Sequence, residues 1–142
     1  MKYETIPRLF GNGHDGPRQY LIMEYISGGT LTNKIGELEY GETLTIMIDV
    51  CNGIHAIHNH ETGDRHIHDD LASRNILLTK DGRAKVIDVD EMSYVEYKTS
   101  YSSSIYKERI TRYLGAVVRN ATQSCDIYNI GILMIELFTI CY

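Results

Sequence analysis

With 142 residues the chain is the size of one domain with a real core, and its 43% hydrophobic content excludes a disordered or fibrous polymer. A formal charge of −5 argues against nucleic acid as the main partner. Cys51, Cys125 and Cys141 are odd in number and lack paired spacing, so a reduced, cytoplasmic protein is expected, with no disulfide framework.

Met1-Lys2-Tyr3-Glu4 lacks the apolar core of a signal peptide. Pro7-Arg8-Leu9-Phe10 reads as a short strand, residues 11–17 as a turn-rich loop, and residues 19–25 as a second, β-prone strand completing a hairpin. Ser27-Gly28-Gly29 breaks the backbone before a short helix over 30–35. Residues 44–58 have a helical period, with Leu44, Met47, Ile48 and Cys51 on one face, extended by Val50, Ile54, Ile57 and His58. After a polar connector, apolar runs at 75–79 and 84–88 flank Lys80-Asp81-Gly82-Arg83, and Asp-Gly in that setting signals a hairpin. Residues 91–112 are rich in Ser, Tyr, Thr and charge and show little periodicity. The apolar run at 127–142, interrupted by Asn129 and Glu136, is too short to span a bilayer, so a buried core helix and no membrane segment are expected. That run stops without a capping signal or polar tail, as a cut chain would.

The chemistry concentrates in His66-Ile67-His68-Asp69-Asp70-Leu71-Ala72-Ser73-Arg74-Asn75, which packs acids, a cation and an amide into a loop ahead of an apolar strand. Lys85-Val86-Ile87-Asp88-Val89-Asp90 repeats the device, delivering carboxylates at a strand end. Function depends on whether those two acidic segments face each other. A rival lies in the histidines: five of six fall between His55 and His68, beside Asp64, Asp69 and Asp70, where a zinc site is conceivable. However, they do not follow an H-E-x-x-H pattern, and the cysteines lie far off. Asn120-Ala121-Thr122 matches a glycosylation acceptor, which a cytosolic chain makes a chance match.

His68-Asp69-Asp70-Leu71-Ala72-Ser73-Arg74-Asn75 resembles the catalytic loop of protein kinases, H-R-D-L-x-x-x-N, and Asp88-Val89-Asp90 resembles their metal-binding D-F-G. Residues 22–31 resemble the last N-lobe strand and hinge, 112–117 the end of an activation segment, and 124–131 the start of the central C-lobe helix. The resemblance covers essentially the whole chain. It implies an α+β, protein-kinase-like fold, with 1–25 ending the N-lobe strands, 26–31 forming the hinge and 32–142 belonging to the C-lobe. It also implies ATP and Mg²⁺ as cofactors and a protein substrate, with a regulatory protein as a further partner.

By the same resemblance Asp70 handles the substrate hydroxyl, Arg74 faces substrate, and Asn75 and Asp88 hold the metal. Met23 is the gatekeeper, the backbone of Glu24 and Ile26 meets the adenine edge, and Leu77 floors the adenine pocket. Asp126 reaches back to the catalytic-loop backbone, and His68 packs in the loop. Ala72-Ser73-Arg74 leans toward tyrosine-kinase or tyrosine-kinase-like loops. The pattern also departs from the family. Asp69 replaces the Arg that reads a phosphorylated loop, Val89-Asp90 replaces Phe-Gly, and Gly115-Ala116-Val117 stands in place of A-P-E. No Gly-rich phosphate loop or strand lysine is found, so a domain truncated at both ends is expected. A pseudokinase or nucleotide-binding interaction module is the alternative, and a small-molecule phosphotransferase of related fold is a third.

Overall fold

In the computed structural model, residues 4–59, 66–88, 93–94 and 122–140 are described. Asp90, residues 95–117 and Asn120 lie outside them, as do Val89, His60, Asp64 and Cys141.

The chain opens with an antiparallel ribbon of β1 (Leu9–Asp15) and β2 (Arg18–Met23), in register from Gly11 opposite Ile22 to Asp15 opposite Arg18, with a one-residue shift between Gly11 and the Leu9–Met23 pair. The expected loop over 11–17 is therefore mostly strand, and the turn shrinks to Gly16-Pro17. Gly16 takes φ +59, which fits a tight turn with glycine at its first central position. Two glycines disguised β1. Gly13 pairs with Tyr20, whose ring occupies the space a Cβ at Gly13 would need. An aromatic laid over a strand glycine restores the packing the glycine lacks.

Beyond β2, Gly28 donates to the Leu78 carbonyl (2.8 Å) and Leu78 donates to Gly29 (2.9 Å). A Cβ on Gly28 would collide with that carbonyl, so this approach requires glycine. The short helix expected at 30–35 is a 3₁₀ turn over Leu31–Lys34.

Helix α1 (Tyr40–His58) starts a turn earlier than its apolar period, where the Glu42 carboxylate accepts the Glu39 N–H at 2.8 Å. The expected buried face is corrected here. Leu44 (45% exposed), Ile48 (55%) and Cys51 face outward, while Ile46, Met47, Val50, Ile54 and Ile57 are buried. The buried arc also contains Thr43 and Asp49, two polar residues that hid it. Both are satisfied inside. Thr43 Oγ1 donates to the Glu39 carbonyl at 3.1 Å, and Asp49 accepts from Arg83 Nε (2.8 Å), Arg83 Nη2 (2.6 Å) and the Ala84 N–H (3.0 Å).

Strand β3 (His66–Ile67) pairs antiparallel with β6 (Ser93–Tyr94). The Asp-Gly hairpin appears as expected, with β4 (Ile76–Leu78) against β5 (Ala84–Val86) and Gly82 at φ +79 in the connection. Helix α2 (Gln123–Ile140) runs alongside α1, where the Tyr40 and Phe138 rings meet tilted at 56° with centroids 5.7 Å apart. It is not the wholly buried helix expected. Asp126, Leu133 and Leu137 are buried, whereas Ile127, Tyr128, Met134 and Ile135 are exposed, because the described neighbours cover one side only. No described helix is long and apolar enough to cross a membrane.

The Asp49–Arg83 pair predicts both a stability and a pH effect. Burial opposes ionisation of Asp49, but the Arg83 fork and the Ala84 N–H outweigh it and hold its pKa below the usual 3.8. Its contribution is then fully present above pH 3.8 and is lost as pH falls through the lower folded value. Asp49→Ala is expected to cost about 3 kcal/mol at neutral pH in urea unfolding, the low end for a broken buried pair because Arg83 is half exposed. Between about pH 4 and pH 2 the variant should lose less stability than the parent chain.

Candidate active site

The site begins from a strained backbone. Asp69 and Asp88 both take left-handed φ, 74 and 68, which non-glycine residues adopt at a cost of about 1–3 kcal/mol unless neighbours enforce it. The enforcing group at Asp69 is Asp126, whose fully buried carboxylate accepts the His68 N–H (2.8 Å), the Asp69 N–H (2.9 Å) and His58 Nε2 (2.7 Å). The reach of Asp126 to the loop backbone is as expected. His58, placed by sequence only at the end of an apolar stripe, turns out to be the third donor. Gln123 Nε2 adds a clasp, donating to the His58 carbonyl at 3.1 Å and the His66 carbonyl at 3.3 Å.

His68 passes this order to the second acidic segment. It is fully buried, its Nδ1 accepts the Asp70 N–H at 3.3 Å, and its Nε2 contacts the Ile87 carbonyl at 2.8 Å. The acceptor role of Nδ1 puts the ring proton on Nε2, which donates to Ile87. Ile87 immediately precedes Asp88, and its own N–H donates to the Asn75 carbonyl at 2.9 Å. The two acidic segments do face each other.

At their junction Asn75 Nδ2 donates to the Asp70 carbonyl (2.9 Å) and Asp70 Oδ2 (3.1 Å) and lies 3.4 Å from Asp88 Oδ2. All three partners are acceptors, so the amide nitrogen must face them, and Oδ1 is the group Asn75 can offer a cation. Arg74 Nη2 pairs with Asp70 Oδ1 at 2.6 Å, with half of the arginine side chain exposed. A cleft of about 710 Å³ opens between this cluster and the ribbon, lined by His14, Leu21 and Met23 on one wall and Asn75, Ile87 and Asp88 on the other.

Of the remaining expected residues, Glu24, Ile26 and Leu77 are not among those lining the cleft. The Glu24 N–H is committed to the Arg8 carbonyl at 2.8 Å, which leaves the Glu24 carbonyl as its backbone group for a ligand. The Glu24 carboxylate takes Lys85 Nζ at 2.9 Å and the Arg8 N–H at 3.1 Å, and these bonds, Lys85 first, lower its pKa. That ion pair ties the ribbon to β5, three residues before Asp88, and sequence reading missed it. The Ile26 side chain is buried, and Leu77 is half-buried with its backbone bridged to Thr30.

A family model described as protein tyrosine and serine/threonine kinase matches residues 1–142. The chain belongs to the protein kinase family. It is 30% identical to calmodulin-binding receptor-like cytoplasmic kinase 3 of Arabidopsis thaliana, over 96% of this chain and 28% of that protein. It is 31% identical to the probable serine/threonine-protein kinase PknB of Lactococcus lactis, over 98% of this chain and 22% of that protein. Calcium/calmodulin-regulated receptor-like kinase 2 of Arabidopsis thaliana is also 31% identical, over 98% of this chain and 33% of its own length. The chain thus spans at most about a third of these relatives.

Protein kinases use ATP with Mg²⁺, and the residues present fit that cation. Asn75 and Asp88 supply hard oxygen donors, and Mg²⁺ is commonly held by one or two protein groups together with substrate phosphates. Among the described residues of the histidine rival, His58 is bound to Asp126 and His68 to Ile87 and Asp70, while His55 Nδ1 contacts Asn59 at 3.1 Å; its His60 and Asp64 lie outside the described residues. Among the described residues no group of three or more His, Cys, Asp or Glu is placed to hold a metal.

His68→Phe keeps the ring volume and strips both hydrogen bonds. It should cost about 2–4 kcal/mol in urea unfolding, because the Ile87 carbonyl and Asp70 N–H lose their partner. An unchanged midpoint and slope would show that the two acidic segments hold together without it.

Proposed function

We propose that this kinase domain transfers the γ-phosphate of ATP to a Ser, Thr or Tyr hydroxyl of a protein substrate. The observation that carries this reading is the Asn75 amide joining Asp70 to the Asp88 side. Residues 1–25 serve as the end of the N-lobe strands, 26–31 as the hinge and 32–142 as C-lobe.

Mg²⁺, held by Asn75 and Asp88, supplies neutralisation of the phosphate charge when bound. Asp70 orients the substrate hydroxyl and accepts its proton as that oxygen bonds to the γ-phosphorus and the bond from this phosphorus to the bridging oxygen breaks, releasing ADP. Its carboxylate is held on one oxygen by Arg74 and on the other by Asn75, a pairing that fixes its direction. Arg74, with half its side chain in solvent, faces the incoming substrate. Met23 closes the back of the cleft, the Glu24 carbonyl and the Ile26 backbone meet the adenine edge, and Leu77 supports the base from below. The cytoplasm is the compartment proposed, in keeping with the name of one relative, a receptor-like cytoplasmic kinase, and a regulatory protein is proposed as a further partner. Both serine/threonine and tyrosine acceptors belong in the assay, because a relative is named a serine/threonine kinase while Ala72-Ser73-Arg74 leans the other way.

Two measurements test this. Phosphotransfer from labelled ATP to a mixed peptide pool should fall by about 10²-fold or more in Asp70→Asn. ATP with Mg²⁺ at a hundredfold excess over its Kd should stabilise the chain by about 2.7 kcal/mol, and Asp88→Asn should abolish this. Stabilisation without any transfer would favour a nucleotide-binding pseudokinase. Absence of both would contradict either reading.

A further inference from the structure

Ser73 sits between Asp70 and Asn75, in the 3₁₀ turn Ser73–Asn75, and is buried. Its hydroxyl meets side chains from two distant parts of the chain: Thr32 Oγ1 at 2.9 Å and Glu136 Oε1 at 3.2 Å. A hydroxyl has one proton to give, and a carboxylate oxygen can only accept. The Ser73 proton therefore goes to Glu136, and Thr32 must donate to the Ser73 oxygen. The relay has a direction, from Thr32 through Ser73 to Glu136.

Each end is anchored in a different element. Thr32 follows the segment whose backbone pairs with β4 at Gly28, Gly29 and Thr30, so the relay continues that zipper after its last backbone contact. Glu136 stands on α2, ten residues after Asp126 on the helix that already holds the loop through His68 and Asp69. Between the anchors the turn is closed by the Asn75 N–H on the Ala72 carbonyl at 2.9 Å. The next two side chains are Arg74, paired with Asp70, and Asn75, which reaches Asp70 and Asp88. A rotation of this turn would move both.

We propose that Ser73 is a positioning residue: its hydroxyl, gripped between Thr32 and Glu136, sets the turn that aims Asn75 at Asp70 and Asp88. The catalytic meaning of this rests on the kinase reading above, whereas the positioning itself does not. A serine that merely satisfies its hydrogen bonds in the core would change stability when removed, without separating the metal-dependent from the metal-independent part of ligand binding.

Titration calorimetry with ATP plus Mg²⁺, and separately with adenosine, makes that separation. Ser73→Ala is expected to weaken ATP–Mg²⁺ binding by about tenfold, the low end for loss of a group that orients a metal ligand. Adenosine affinity should stay within about twofold, because adenosine carries no phosphate or metal to be aligned. Thr32→Val, on the outer end of the relay, should shift ATP–Mg²⁺ binding in the same direction by less, and Ser73→Thr should restore it. Equal losses for both ligands, or no loss for either, overturn the proposal. If the parent chain binds neither ligand, the kinase reading fails on its own and the Asn75 side-chain amide decides the positioning. Its ¹⁵N-edited signals should shift, and exchange faster with solvent, in Ser73→Ala and Thr32→Val but not in Ser73→Thr. An unchanged Asn75 amide in all three variants overturns the proposal.

Discussion

Asp126 carries a carboxylate shut off from solvent, and a buried charge of that kind is tolerated only when its lone pairs are filled. Here they are filled by two backbone N–H groups of the loop and one imidazole nitrogen from the end of α1. The arrangement joins three elements at one point and holds Asp69 in a left-handed conformation it would not keep alone. His68, fixed by the same carboxylate through its N–H, extends the order to Ile87 and so to Asp88. The cleft geometry is downstream of this contact: Asp70, Asn75 and Asp88 converge because two irregular segments are each pinned to something rigid.

The rigidity has a second source on the far side of the cleft. The segment after β2 is zippered to β4 through Gly28, Gly29 and Thr30, and the Glu24–Lys85 pair joins the ribbon to β5. A ligand in the cleft would therefore touch two walls whose spacing is set by the β4–β5 hairpin. By contrast, the ribbon itself is little buried, with Leu9, Phe10, Tyr20 and Ile22 exposed. Two strands with exposed apolar side chains make a marginal unit, so the ribbon owes its position to those ties more than to a core of its own.

The parts legible in the sequence are those where local chemistry and tertiary structure agree. Asp-Gly between two apolar runs specified the β4–β5 hairpin, and the spaced acids and amide of the polar loop are the groups the structure brings together beside Asp88. Elsewhere local signals misled. Leu44 and Ile48 are apolar yet exposed, whereas α1 buries Thr43 and Asp49 along with Ile46, Met47, Val50, Ile54 and Ile57, and Arg83, 34 residues away, satisfies the Asp49 carboxylate there. Glycines at 11 and 13 read as turn, although at Gly13 Tyr20 across the ribbon supplies the missing side chain. Pairing of His66–Ile67 with Ser93–Tyr94 left no periodic trace, since two-residue strands are too short to show one. Long-range partners of single polar groups, such as His58 for Asp126 and Lys85 for Glu24, carry no sequence signature at all.

The dependence on Asp126 is tested most directly by amide hydrogen exchange, followed residue by residue by NMR in the parent chain and in Asp126→Ala. In the parent, the His68 and Asp69 amides should exchange as slowly as the core of α1, opening only with global unfolding. In the variant those two amides should exchange faster than the α1 core, with Asp70 following because its N–H depends on the His68 ring. Retained slow exchange at His68 and Asp69 in a folded Asp126→Ala chain would contradict the central role given to this carboxylate.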